Sequence, residues 1–110
     1  MSGCITLDIY RVTLHLSDVI KSFRCKDTRA LFEGRCPRRF KAFAIIAERK
    51  LQMIDTAKSI IDFKSPPGNR LELLKGTRQR QWSIRINDQW RVCFYFSDRH
   101  ASEVEIVDYH

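Results

Sequence analysis

The apolar period of this chain changes once, and that change constrains the fold more than any other feature. In the middle of the sequence Phe40, Phe43, Ala44, Ala47, Leu51 and Ile54 recur at the spacing of one helical face. After Ser65-Pro66-Pro67-Gly68-Asn69, which breaks regular structure, the period becomes two. Trp82, Ile84 and Ile86 then share one face of a segment, and Trp90, Val92, Phe94 and Phe96 share one face of the next. A helical stripe followed by alternating segments predicts an α+β fold, in which an antiparallel meander packs its apolar face against helices.

The spacing predicts strands over residues 70–74, 81–87, 90–96 and 102–108, with turns at Lys75-Gly76-Thr77, Asn87-Asp88 and Ser97-Asp98. The main helix follows Pro37, a residue tolerated in a first turn, and its outer face carries Arg38, Arg39, Lys41, Glu48, Arg49 and Lys50. A second short helix is predicted over 56–61. Upstream, residues 19–23 read as a short strand, and Asp27 or Thr28 reads as the N-cap of a turn or two that Gly34 stops. Residues 1–18 alternate over Ile5, Leu7 and Ile9 and again over Val12, Leu14 and Leu16, as an edge strand or an appended leader would. They are set apart from a single domain over 19–110.

The 110 residues suffice for one small core. Lys and Arg number 20 against 13 Asp and Glu, and the net charge of +7 favours a polyanionic partner such as nucleic acid. No apolar run approaches the roughly 20 residues that span a bilayer, so no membrane partner is expected. The start lacks the order of a secretory signal, so the cytoplasm is the expected compartment. Cys4, Cys25, Cys36 and Cys93 form neither a CxxC knuckle nor a disulfide framework and read as free thiols. With His15, His100 and His110 scattered, no metal site and no cofactor are expected.

Residues 70–91 hold six basic side chains, Arg70, Lys75, Arg78, Arg80, Arg85 and Arg91, against the two acids Glu72 and Asp88, together with Trp82 and Trp90. Phosphate neutralisation beside stacking surfaces is the physics of single-stranded RNA binding. Alternation sets Ser83, Arg85 and Asn87 beside Arg91, Cys93 and Tyr95 on the face away from the helix. The competing reading is a solvated face whose arginines pair with Glu103, Glu105 or Asp108. At the end of the sequence Asp108, Tyr109 and His110 gather a carboxylate, a phenol and an imidazole. Cleavage of RNA by its own 2′-OH requires a proton acceptor, positive charge on the phosphorane and a donor to the 5′-oxygen, which this tail and the arginines offer between them. A frayed polar terminus is the alternative.

Three runs carry a resemblance: Asn69-Arg70-Leu71-Glu72-Leu73-Leu74-Lys75-Gly76, then the stretch from Gln81 through Ser83-Ile84-Arg85-Ile86-Asn87-Asp88-Gln89-Trp90-Arg91 to Phe94, then Val104 to Asp108-Tyr109-His110. Together with the opening Ile20-Lys21-Ser22-Phe23, they resemble the HigB toxins of the RelE superfamily of type II toxin–antitoxin systems. The likeness implies a RelE-like fold, a small twisted antiparallel sheet with two to three helices on one face. It implies a metal-independent, ribosome-dependent mRNA endoribonuclease that cuts in the A site, and a HigA-type helix-turn-helix antitoxin as partner. Carried over by position, Lys75 and Arg91 would hold and neutralise the scissile phosphate, and Asp108, Tyr109 and His110 would form the catalytic end of the last strand. Arg85 joins them as an RNA-binding residue by the alternation of the sheet face, and Arg78 and Arg80 by the basic stretch. Some members have a His where this chain has Glu72, which leaves Glu72, Asp108 or His110 as the general base. The runner-up is a non-catalytic module of the same fold that binds RNA or protein; a DNA-binding reading is disfavoured because no helix-turn-helix spacing is present.

Overall fold

The computed structural model describes residues 19–76 and 79–108. The alternating segment over 1–18, with Thr77, Arg78, Tyr109 and His110, lies outside the described residues. Helix α1 spans Lys26–Phe32 and α2 spans Ala44–Thr56; strands β1 (Glu72–Leu73), β2 (Trp82–Arg85), β3 (Trp90–Ser97) and β4 (His100–Asp108) follow. The strands form one antiparallel sheet in the order β1-β2-β3-β4, the meander that the change of period predicts.

α1 begins earlier than its expected caps, with Cys25 at the N-cap and no side-chain cap bond. The Thr28 hydroxyl is engaged elsewhere: it accepts the Ile106 N–H at 3.0 Å in a buried contact that ties the helix to β4. Gly34 ends α1 as expected. At φ 100 it lets its own N–H reach Leu31 O and the Arg35 N–H reach Ala30 O, which satisfies two terminal carbonyls.

The single helix expected from Phe40 onward is two pieces. Arg38–Phe43 is a 3₁₀ helix and α2 starts only after Phe43, whose ψ of 20 breaks the α geometry. A spacing of three, as between Phe40 and Phe43, suits either helix type, so periodicity does not separate them. The apolar face itself is as expected, since Phe40, Phe43, Ala47, Leu51 and Ile54 are all buried. The short helix expected over 56–61 lies later, as a 3₁₀ turn over Ile60–Lys64. Asp62 fixes its start by accepting the Lys58 N–H at 2.8 Å and the Ser59 N–H at 3.3 Å. That turn brings Phe63 into the core against Phe94 and Phe96.

Residues 19–24 run parallel to β4 as isolated bridges rather than as the expected strand, with Lys21 N–H donating to Ala101 O at 2.7 Å and Arg24 N–H to Val104 O at 3.0 Å. Their start is anchored by buried Asp55 of α2, whose Oδ1 accepts the Val19 and Ile20 amides at 3.1 Å each. β1 is shorter than expected because Arg70 is left-handed at φ 46 and ends the pairing. The β3–β4 hairpin turns through Asp98 and Arg99, both at positive φ, the twist that a two-residue connection demands. The core lies between the helices and the even-numbered residues Ile84, Val92, Phe94, Val104 and Ile106.

Candidate active site

The register places Arg85 of β2 directly across from Arg91 of β3, on the face that the helices leave open. Directly opposed like charges destabilise a sheet, so this pairing needs a compensating anion. Arg91 is 9% exposed and firmly held. Its Nε donates to Ser83 Oγ at 2.9 Å, and one terminal nitrogen donates to the Arg70 carbonyl at 2.6 Å while standing 3.9 Å from Glu72 Oε1. Arg85 is bonded to the carboxylate of Asp88, which is 98% exposed. Arg70, Arg85, Arg91, Asn87 and Asp88 line a cavity of about 330 Å³. Three guanidinium groups thus meet one carboxylate in its wall.

Local structure explains the positions. Asn87 Oδ1 accepts the Gln89 and Trp90 amides at 2.8 Å each, closing the β2–β3 turn and fixing where Arg85 and Arg91 face each other. The 3₁₀ turn Pro67–Asn69 and the left-handed Arg70 bring the Arg70 carbonyl to Arg91. Lys50, expected on the outer face of the main helix, instead bonds Asn69 Oδ1. Burial, and then the Arg85 guanidinium, holds its ammonium below the usual lysine range.

Of the residues singled out from the sequence, the structure brings together Arg91, Arg85 and Glu72 on the open face, Glu72 standing across from Ser83. Asp108 ends β4 at the same end of the sheet, opposite Trp90, and accepts Gln89 Nε2 at 3.0 Å. Paired residues point to one side, so Asp108 stands on the Trp90 side of the sheet rather than beside Arg91. Lys75 and Arg80 are exposed beyond the Leu73–Trp82 pair, at the opposite end of β2 from Arg85. Arg78, Tyr109 and His110 lie outside the described residues.

Trp90 is not a stacking platform on the open face. Its ring packs against Phe40 at 5.9 Å and Phe43 at 4.9 Å, as one more member of the apolar face that alternation assigns it to. Arg70 and Ser83 join the site without having been singled out for it. The alternation that groups Ser83 with Arg85 and Arg91 is the signal that finds it; the approach of Arg70 depends on a backbone turn that leaves no periodic trace. Among the described residues Cys25, Cys36 and Cys93 are free thiols, and no group of three or more His, Cys, Asp and Glu side chains is placed to hold a metal ion.

A profile of the HigB-like toxin family, described as the RelE-like toxin of type II toxin–antitoxin system HigB, matches residues 21–110. The chain is 44% identical over 50 residues to Toxin HigB-1 of Vibrio cholerae, covering 46% of this chain and 53% of that protein. It is 36% identical over 59 residues to a protein of Haemophilus influenzae, covering 54% of this chain and 58% of the relative. Over 94 residues it is 36% identical to Endoribonuclease HigB of Proteus vulgaris, covering 84% of this chain and 100% of that protein. The chain therefore spans little more than half the length of the first two relatives and the whole of the third. With an α+β fold of one antiparallel sheet and helices on one face, and with a family profile that matches nearly all of the described residues, this chain belongs to the RelE-like HigB toxins of type II toxin–antitoxin systems.

Proposed function

We propose that this chain is the toxin of a type II toxin–antitoxin pair and acts as an endoribonuclease on mRNA in the ribosomal A site, with residues 19–110 as the toxin domain. The observation that carries the reading is the cross-strand pair Arg85 and Arg91 in a cleft with Arg70. A scissile phosphate in that cleft would meet both opposed arginines, and its negative charge grows in the phosphorane, where preorganised guanidinium groups stabilise it most. The 2′-oxygen bonds to phosphorus as its proton leaves to a base, and the bond to the 5′-oxygen breaks as that oxygen takes a proton. The products are a 2′,3′-cyclic phosphate and a 5′-hydroxyl.

In this mechanism Arg91 neutralises the phosphorane, and Lys75, Arg78, Arg80 and Arg85 hold the RNA strand. Proton transfer falls to Glu72, Asp108, Tyr109 and His110, with Glu72, Asp108 or His110 as the base. Glu72 stands 3.9 Å from Arg91. The name of the Proteus vulgaris relative supports an RNA-cleaving activity. A HigA-type helix-turn-helix antitoxin is the proposed partner, and the cytoplasm, where mRNA is translated, the proposed site of action. No helix among the described residues is long and apolar enough to cross a membrane.

The test is to produce the chain in cells that carry a reporter mRNA with or without its start codon, and to map RNA 5′ ends. New 5′-hydroxyl ends inside the translated message alone are expected. Equal cutting of both messages contradicts ribosome dependence. Growth arrest with no new ends contradicts the nuclease and favours a non-catalytic RNA- or protein-binding module.

A further inference from the structure

A guanidinium on a long side chain stabilises a developing charge only if its plane and direction are set beforehand. Among the described residues, two hydrogen-bond acceptors from different parts of the fold orient Arg91. The Arg70 carbonyl takes one terminal N–H at 2.6 Å, and the Ser83 hydroxyl takes Nε–H at 2.9 Å. Ser83 is 0% exposed and lies in the middle of β2, one alternation step from Arg85 and across from Cys93. A hydroxyl fully buried in a strand needs a hydrogen-bond partner, and here that partner is the arginine at the centre of the cleft.

We propose that Ser83 is a positioning residue for Arg91, acting on the cleavage step through the orientation of the guanidinium and not through contact with RNA. Nε is the guanidinium nitrogen nearest the aliphatic stem. A bond there limits rotation of the whole group, while the Arg70 carbonyl fixes its far end. Losing the restraint at Nε leaves the charge in the cleft but lets it turn away from the phosphorane. The rate of cleavage should fall, and binding should change little.

The inference rests on the reading of Arg91 as the phosphate-directed arginine, and the test separates the two. Cleavage of a translated mRNA in a cell-free translation extract is measured over a range of ribosome concentrations for Ser83→Ala, Ser83→Thr, Arg91→Lys, Arg91→Ala and Ser83→Ala combined with Arg91→Lys, with thermal unfolding followed for each. Ser83→Ala should lower kcat about ten-fold with KM within about two-fold, well short of the ~10²- to 10³-fold loss from removing the charge itself. Ser83→Thr, which keeps the hydroxyl, should recover most of the rate. In the Arg91→Lys background, which has no Nε–H to orient, Ser83→Ala should have no further effect. A general weakening of the fold would persist in that background, so an equal loss in both backgrounds overturns the proposal. So does a parental kcat for Ser83→Ala. Parental rates for both Arg91 variants overturn instead the reading of Arg91 on which it rests.

Discussion

Arg85 and Arg91 face each other across two strands, and the groups around them show how the free protein tolerates it. Asp88 pairs with Arg85 from a side chain in open solvent, where an ion pair contributes at most about 1 kcal/mol and yields readily to a better anion. Asp88→Asn should therefore bind a single-stranded RNA oligonucleotide a few-fold more tightly at low salt, with the gain fading as salt rises. Fluorescence anisotropy over a salt series measures it, and weaker binding by the variant would mean that Asp88 orients Arg85 instead of occupying it. At this scale the sequence was legible where period two governs. Alternation alone groups Ser83, Arg85 and Arg91, and the register places them so. Arg70 was not legible in the same way, because its role uses a backbone carbonyl aimed by a left-handed residue. The same alternation that sets Arg91 on the open face sets Asp108 with Trp90.

Among the elements, the helical stripe and the hairpins were readable because each buries a periodic apolar face. Their ends were less so. The 3₁₀ helix Arg38–Phe43 shares its spacing with the α-helix that follows, and Thr28 joins α1 to β4 instead of capping it. The stretch 19–24 is held by backbone bonds to β4 and by a buried carboxyl group of α2. Asp55 of α2 accepts two backbone amides there, and Asp55→Ala leaves both donors without that acceptor, at about 1–3 kcal/mol for each buried donor left unsatisfied. A drop in Tm on the order of 10 °C is expected for a domain of this size, read by circular dichroism. A shift of only a degree or two would show that residues 19–24 are not part of the cooperative unit.

In the whole molecule, helices cover one side of the sheet and the Arg70, Arg85 and Arg91 cleft lies on the other, and the net charge of +7 suits a polyanionic partner. The family profile starts at residue 21, so the proposed toxin domain excludes residues 1–18. Deleting them behind a new initiating methionine should leave cleavage intact; loss of soluble protein or a large fall in Tm would assign them to the core. Asp108 lies at the cleft end of the sheet, and the two residues after it are among the proposed proton-transfer groups. Removing Tyr109 and His110 should abolish cleavage while leaving the fold by circular dichroism and the binding of a HigA-type antitoxin unchanged. Normal cleavage by that truncation would move proton transfer to Glu72 and Asp108.

The central claim, that the arginine cleft neutralises the phosphate of an mRNA being cut, is tested most directly by primer extension on mRNA from cells producing Arg91→Ala, with circular dichroism of the purified variant beside it. The account predicts a folded protein whose cleavage falls by about 10²- to 10³-fold, to the loss of growth arrest. A folded Arg91→Ala that cuts the same sites at parental levels would show that Arg91 only ties the Arg70 turn to the sheet, and would contradict the claim.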